Sequence, residues 1–482
     1  MGLQCPKALW INYNNKALLP EVDAGTEALF EQGHQVGLLA QKLFPDGIDV
    51  GHLSGFDEPV EATRVALSAK KPLFEAAFVY DRCFSRADIL EPVGDDDWDV
   101  IEVKSATEVK QINLSDLAFQ RYVYEGNGLC IRNCYILHVN NRYLRSGSVD
   151  PVGLFSKIDV THAVTELMPA VGPKVSEMLQ VIDLDLCPEI KISPHCNSPY
   201  ECSLKPVCWK FLPQPNVFHM RRAGKKPWEL LNKAIMKLEE IPTDFILNDV
   251  QSRQIAAHRS GMPHVDAVAI RAFLQRSSYP LHFLDFETIG LAIPLYDRSR
   301  PYVQIPFQFS LHRVELEGAL PTHFEFLADG TADPRPDLLL RLKNLLGHSG
   351  SIIGYNVDFE VACLKECAEV FPEYQNWFDS LLPRFVDLYD VFDDLSYYHP
   401  SQNGSASLKA VLPALTGAGY DDLDIVAGDF AQREFTRIAF GNVTPAERLK
   451  VRAALQAYCC QDTRGLIDIV EALKKLIAGP TL

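Results

Sequence analysis

Hydrophobic and polar positions alternate along Trp98-Asp99-Val100-Ile101-Glu102-Val103-Lys104-Ser105 with the period of a strand. Strand side chains repeat every two residues, so Glu102 and Lys104 share one face while Ile101 and Val103 take the other. Ala87-Asp88-Ile89-Leu90 reads as a neighbouring short strand carrying one acid, followed by a turn rich in glycine and aspartate. Residues 116–124 read as a helix on which Gln120 and Tyr124, spaced i and i+4, lie on one face. Farther on, Pro280-Leu281-His282-Phe283-Leu284-Asp285-Phe286-Glu287-Thr288 is an apolar strand that turns to alternation and sets Asp285 beside Glu287. Residues 352–360 read as a strand end entering a helix, and Tyr458-Cys459-Cys460-Gln461-Asp462 as part of a late helix with Tyr458 and Asp462 on one face.

These elements fall into three zones of an α/β chain. Residues 1–215 alternate helix and strand patterns and end in a cysteine-rich stretch. Residues 216–280 read as a helical, partly basic connecting segment broken by Pro227, Pro242 and Pro263. Residues 281–482 again alternate strands with helices. A length of 482 residues suits two large domains or three smaller ones. No run of 18 apolar residues lacks charge and the N-terminus has no signal-peptide pattern, so a cytoplasmic protein with no membrane partner is expected.

The chain has 46 Lys plus Arg against 63 Asp plus Glu, a net charge of −17. Taken alone, that argues against a protein that coats nucleic acid through a positive field. It leaves room for an enzyme whose acids hold Mg²⁺ or Mn²⁺ and present a phosphate to the ion. Asp285 and Glu287 repel each other unless a cation lies between them. Glu102 with Lys104 and Asp88 makes a metal site with its own cation alongside, although a salt-bridged surface hairpin has the same pattern.

Taken in order, Asp88, Glu102-Val103-Lys104 and Gln120 with Tyr124 resemble the PD-(D/E)XK nuclease superfamily in its RecB-type branch, and Phe74-Glu75-Ala76-Ala77-Phe78 resembles the strand that precedes the aspartate. The resemblance implies a restriction-endonuclease-like fold, with Asp88, Glu102 and Lys104 as metal-binding and catalytic residues and Gln120 and Tyr124 in contact with nucleic acid. His34 stands where some members have an extra histidine ligand, but reads more simply as a surface or core residue. Asp285-Phe286-Glu287, Asn356-x-x-Phe359-Glu360 and Tyr458-x-x-x-Asp462 resemble the DEDD exonucleases of the ribonuclease-H-like fold, in the DEDDy type. That implies Asp285, Glu287, Glu360 and Asp462 as ligands of two metal ions, with Tyr458 orienting water. Glu360 replaces the family's usual aspartate, and Asp358 is the alternative ligand. Asp387, Asp393 and Asp394 read as structural acids, and His258, His312 and His399 as structural histidines. Ser405, Ser407 and Lys409 fall in a helix-entry loop that could line a groove.

Cysteine usage changes the picture of the first zone. Cys196, Cys202 and Cys208 are evenly spaced in a proline-punctuated loop and look like three corners of a thiolate site, with Cys5 or Cys187 as the fourth. RecB-type and CRISPR-associated exonucleases similarly clasp a [4Fe-4S] cluster between one N-terminal and three later cysteines, which implies Cys5, Cys196, Cys202 and Cys208; zinc is the chemical competitor. Ser203 to Trp228 carries Lys205, Lys210, Arg221, Arg222, Lys225 and Lys226, four aromatics and no acid, which fits either phosphate contact with base stacking or a solvated linker.

The expected function is a dual-site metal-dependent hydrolase of DNA phosphodiester bonds, acting on single-stranded ends in repair, processing or defence, with DNA favoured over RNA. No Gly-x-x-x-x-Gly-Lys-Ser/Thr loop is present, so unwinding would need a separate helicase. The alternatives are an RNA exonuclease with a structural first domain and a non-catalytic iron–sulfur nucleic-acid-binding module.

Overall fold

The computed structural model describes residues 1–420 and 422–478; Asp421 and the last four residues of the 281–482 zone lie outside them. It is mixed α/β and divides into two units, Met1–Trp209 with Gly290–Val303, and Lys210–Ile289 with Gln304–Leu482. The expected connecting segment 216–280 therefore clusters with the second unit. Residues 290–303, expected in the last domain, cluster with the first.

The first unit is built on a six-stranded sheet ordered β1 (Ile48–Asp49), β2 (Leu73–Tyr80), β3 (Cys83–Val93), β4 (Asp97–Lys104), β5 (Cys130–Val139) and β6 (Phe155–Asp159). The β2–β3 and β3–β4 pairs are antiparallel and β4–β5 is parallel. Alternation sorts the side chains to two cores. Leu90, Val100 and Ile136 pack with Leu117, Val123 and Tyr124 of the helix Gln111–Gly126. Ile89, Ile101 and Leu137 pack with Val36, Leu39 and Ala40 of the helix Ala24–Gln41. Each fully buried aliphatic side chain contributes about 1.5–3 kcal/mol. A slip of one residue in β3 or β4 would reverse both sets, so the register that places Asp88 and Glu102 is fixed by this packing.

In the second unit, β7 (His264–Val265) pairs with β13 (Tyr397–Tyr398), and residues 216–280 carry a small core of Val217, Met220, Leu230, Leu238, Ile241 and Ile255. The main sheet is formed by β8 (Leu281–Ile289), β9 (Ile305–Val314), β10 (Thr322–Leu327), β11 (Ser351–Gly354) and β12 (Phe385–Asp387), in the order β10-β9-β8-β11-β12. The first three strands are antiparallel, and β11 runs parallel to both β8 and β12. The ladder between β8 and β9 shifts register after Glu287, an irregularity of the kind that re-aims side chains at a site. The helix Pro445–Ala478 packs on β8 and β9. Among the described residues no helix is long and apolar enough to cross a membrane.

Candidate active sites

In the first unit the β3–β4 ladder ends at the pair Ile89 and Ile101, and beyond it the Asp88 carboxylate takes over as acceptor for the Val103 N–H at 2.7 Å. The strands part there and open a cavity of about 750 Å³ lined by His34, Glu75, Asp88, Glu102 and Lys104 among others. Lys104 Nζ lies 2.7 Å from Glu102 Oε1, and Gln120 Nε2 donates to Glu102 Oε2 at 2.7 Å, so both glutamate oxygens are held. Burial, and after it the Glu102 charge, pushes the Asp88 carboxyl well above its ordinary range. Burial opposes the Lys104 ammonium, but Glu102, Asp88 and Asp116 outweigh it and raise its pKa.

Gln120 and Tyr124, expected to contact nucleic acid, both point inward. Gln120 is buried and Tyr124 has no exposed surface. The Tyr124 hydroxyl lies 3.1 Å from Ser85 Oγ and 3.4 Å from Gln120 Oε1, so the face they share serves to hold Glu102 from behind. Two further groups line this cavity, of which Glu75 was not picked out from the sequence. Glu75, at φ +57° within β2, presents its carboxylate to the cavity, and burial raises its pKa. His34, expected at the surface or in the core, is exposed and lines the same cavity.

In the second unit, β8 supplies Asp285 and Glu287, the helix Asp358–Val370 supplies Glu360, and the helix Pro445–Ala478 supplies Tyr458 and Asp462. Asp285, Glu287, Tyr458 and Asp462 line one cavity of about 560 Å³ with Ser407 and Lys409. Ligand atoms of Asp285, Glu287 and Cys459 lie within 4.8 Å of one another. Burial is the first cause raising all four carboxyls. Asp285 is further raised by Asp462, Glu287 and Glu360, and Glu287 by Asp462 and Glu360. Asp462 is pushed up to about 6 and Glu360 to about 8. Glu360 Oε2 is buried with no hydrogen-bond partner, whereas the alternative Asp358 is exposed at the start of the helix. The Asp387 carboxylate accepts from the N–H groups of Asn356, Val357 and Tyr389, holding the turn that feeds this helix. Tyr420, missed in the sequence, donates its phenol to Asp462 Oδ1 at 2.5 Å. Lys409 Nζ lies 5.2 Å from the Tyr458 ring centre and 5.8 Å from that of Tyr420.

Cys5, Cys196, Cys202 and Cys208 line one small pocket; Cys187 packs beside it without lining it. Gln4 bridges the two ends of the site by donating to the carbonyls of His195 and Tyr200 at 2.9 and 2.8 Å. Burial raises the thiols of Cys202 and Cys208, with Lys7 opposing at Cys208. Among the described residues, no three of these cysteines form a set with all sulfurs within 4.8 Å of one another. A single zinc, at about 2.3 Å from each sulfur, would draw them to roughly 3.8 Å.

The basic stretch divides by role. Lys205 pairs with Glu201 and lies over Trp209 at 4.8 Å. Arg221 and Arg222 both pair with Asp393, and Lys226 donates to Gln251 at 2.6 Å. Four of the six cations are engaged by partners within their own unit, which limits how many are free to meet a phosphate.

A family model described as Domain of unknown function (DUF2779) matches residues 282–407, a range that includes Asp285, Glu287 and Glu360 but stops short of Tyr458 and Asp462. Uncharacterized protein UU173 of Ureaplasma parvum is 28% identical over 231 residues, 43% of this chain and 33% of that protein. Uncharacterized protein MG366 homolog of Mycoplasma pneumoniae is 29% identical over 222 residues, covering 41% and 32%. Uncharacterized protein MG366 of Mycoplasma genitalium is 28% identical over 213 residues, covering 40% and 32%. The chain spans about a third of the length of these curated relatives. No solved structure matches.

Proposed function

We propose that this chain is a dual-site, metal-dependent nuclease that hydrolyses DNA phosphodiester bonds, with a PD-(D/E)XK-like first unit and a ribonuclease-H-like, DEDDy-type second unit. The observation that carries the reading is the same in both units: buried carboxylates from separate elements converge on one cavity. Carboxylates buried beside one another are unfavourable even where a lysine answers part of their charge, as Lys104 does at Glu102, and acids so placed are characteristic of metal sites. Glu360 does not line the second unit's cavity, but its buried Oε2 has no hydrogen-bond partner among the described residues, which suits a metal ligand better than a structural acid. Antiparallel β8–β10 continued by parallel β11 and β12, with the acidic pair on central β8, supports the second fold; paired β2–β4 carrying Asp88 and Glu102 support the first.

In the first unit Asp88 and Glu102 would hold Mg²⁺ or Mn²⁺; in the second, Asp285, Glu287, Glu360 and Asp462 would. A bound divalent ion supplies Lewis acidity to the attacked phosphate and eases deprotonation of water. The chain's own residues do the rest. Lys104, fixed on Glu102, offers a cation to the phosphate oxygens, while Gln120 keeps the glutamate from swinging away. Tyr458 lines the second cavity, where its hydroxyl can orient the attacking water, and Lys409 offers the compensating positive charge. Cys5, Cys196, Cys202 and Cys208 suit a [4Fe-4S] cluster, whose thiolates stand farther apart than those of a single zinc. It would tie the N-terminus to the end of the first zone. A role in DNA repair, processing or defence follows from such chemistry.

The test is cleavage of end-labelled single-stranded DNA and RNA by the full chain with Mg²⁺ or Mn²⁺. Glu102→Ala and Asp285→Ala each remove one part of the activity, and the double variant loses it by on the order of 10³-fold. Undiminished cleavage in the double variant overturns the assignment. RNA degraded in preference to DNA favours the RNA exonuclease instead.

A further inference from the structure

Outside both carboxylate sites, the second unit holds a group of side chains of metal-ligating type, among them His312, which the sequence left as structural. His312 on β9 and His323 on β10 are direct partners in the antiparallel ladder. Their rings stack with centres 4.4 Å apart at 27°. Cys460 comes from the helix Pro445–Ala478, three residues before Thr463 and so on the same helical face. One ligand atom from each of His312, His323 and Cys460 lies within 4.8 Å of the other two.

We propose that His312, His323 and Cys460 form a zinc site that fastens the helix Pro445–Ala478 to the β9–β10 hairpin. Two imidazoles and a thiolate are a donor set that suits zinc, and a cation about 2.0–2.3 Å from each donor fits within that spacing. The surrounding hydroxyls orient the rings as outer partners of metal-bound histidines do. His312 Nδ1 lies 2.8 Å from Thr463 Oγ1, Ser310 Oγ 2.6 Å from the same oxygen, and His323 Nε2 3.0 Å from Ser310 Oγ. Thr463 Oγ1 is also 3.2 Å from the Cys460 carbonyl, the back-bond of a helical threonine. With its proton given to that carbonyl, Thr463 accepts from His312 Nδ1 and from Ser310, and Ser310 accepts from His323 Nε2. His312 Nε2 and His323 Nδ1 then keep bare lone pairs, which is the state a metal requires. The fourth position falls to water or to Glu325. That residue lies two along β10 on the face of His323, acts electrostatically on both His323 and Cys460, and is held at 2.7 Å by Gln456.

The role is positional: the helix so fastened carries Tyr458 and Asp462. The donors are distinct from the four carboxylates and from the cysteines of the first unit, so the site stands or falls independently of the proposed nuclease activity. The test uses the full chain, freed of loosely bound metal with a mild chelator and titrated with Zn²⁺ alone, with bound zinc and iron counted by mass spectrometry. His323→Ala and Cys460→Ser are compared with the parent, because His323 lies on the edge strand and Cys460→Ser is nearly isosteric. The expected result is one equivalent of zinc lost in each variant, with iron unchanged, and a zinc-induced rise in thermal midpoint that the parent shows and the variants lack. A zinc content in either variant equal to that of the parent, or no zinc bound by the parent, overturns the site.

Discussion

The two carboxylate sites handle the same electrostatic problem differently. In the first unit the chain answers much of the charge, although Asp88 stays strained by burial. Glu102 is gripped by Lys104 and Gln120, and Asp88 accepts from the Val103 amide. In the second unit Asp285, Glu287 and Asp462 share one cavity and Glu360 acts on the first two from beside it, with the phenol of Tyr420 on Asp462, Lys409 nearby and one oxygen of Glu360 without a partner among the described residues. Two like charges about 4 Å apart repel by about 4 kcal/mol at an effective dielectric constant of 20. The first site is therefore organised before any ion arrives. The second holds its shape against repulsion, and protons or divalent ions from solution must relieve it.

That contrast predicts opposite stability effects for changes that both damage catalysis. Asp285→Asn, studied in a Glu102→Ala background to isolate the second site, lowers cleavage by on the order of 10³-fold. It also raises the thermal midpoint of the metal-free protein by a few degrees, because one buried like charge is gone. Lys104→Met in an Asp285→Ala background lowers cleavage by on the order of 10²-fold, yet it lowers the metal-free midpoint, because Glu102 and Asp88 lose their cation. Calorimetry of both variants without metal decides the matter, and midpoints that move in the same direction break the comparison.

A smaller effect separates the sites by pH. Glu360 and Asp462 have folded-state values near 8 and 6, above those of ordinary carboxyls. Acids raised in this way favour the folded state fully below their unfolded value near about 4, and that contribution is lost as pH rises through the folded values. The metal-free protein thus loses stability between about pH 5 and about pH 8, and Mn²⁺ restores it most at the upper end. In the Glu102→Ala background, the Mn²⁺-induced rise in midpoint grows over this range by a few degrees, and it vanishes when Asp285→Asn is added. A rise that persists when Asp285→Asn is added shows that the bound ion is not held by the second site.

How much of this was legible in the sequence depends on whether the signal was local. Period-two alternation placed Glu102 beside Lys104 and Asp285 beside Glu287, and the i, i+4 rule placed Tyr458 with Asp462, because each relation lies within one element. Glu75 escaped attention because a positive φ inside a strand, which turns its carboxylate to the cavity, leaves no trace in a hydrophobic pattern. Tyr420 and Asp462 meet only through tertiary folding, as do His312 and Cys460. Gln120 and Tyr124 were correctly put on one face, but which way that face points depends on packing against the sheet, and it points inward. The cations of 203–228 looked like a surface because composition does not reveal Asp393, which lies far along the chain from Arg221 and Arg222.

The smallest effect sharpens the comparison at a single hydrogen bond. Tyr420 donates to Asp462, and a donor to a carboxylate favours its charged form, so this bond partly offsets the upward push of burial. Tyr420→Phe removes the donor and leaves the ring, and the Asp462 pKa rises. Metal binding needs the carboxylate, so the variant binds Mn²⁺ more weakly near pH 6, by a few-fold, and recovers near pH 8 where Asp462 ionises regardless. The counterpart in the first unit is Gln120→Leu, which also removes a neutral donor from a ligand carboxylate. There Lys104 remains on Glu102, so the pH dependence of the first-site activity stays close to that of the parent. Cleavage and Mn²⁺ binding measured at both pH values test the pair. If Gln120→Leu shifts the profile as far as Tyr420→Phe does, the fixed cation of the first site is not what buffers its acids.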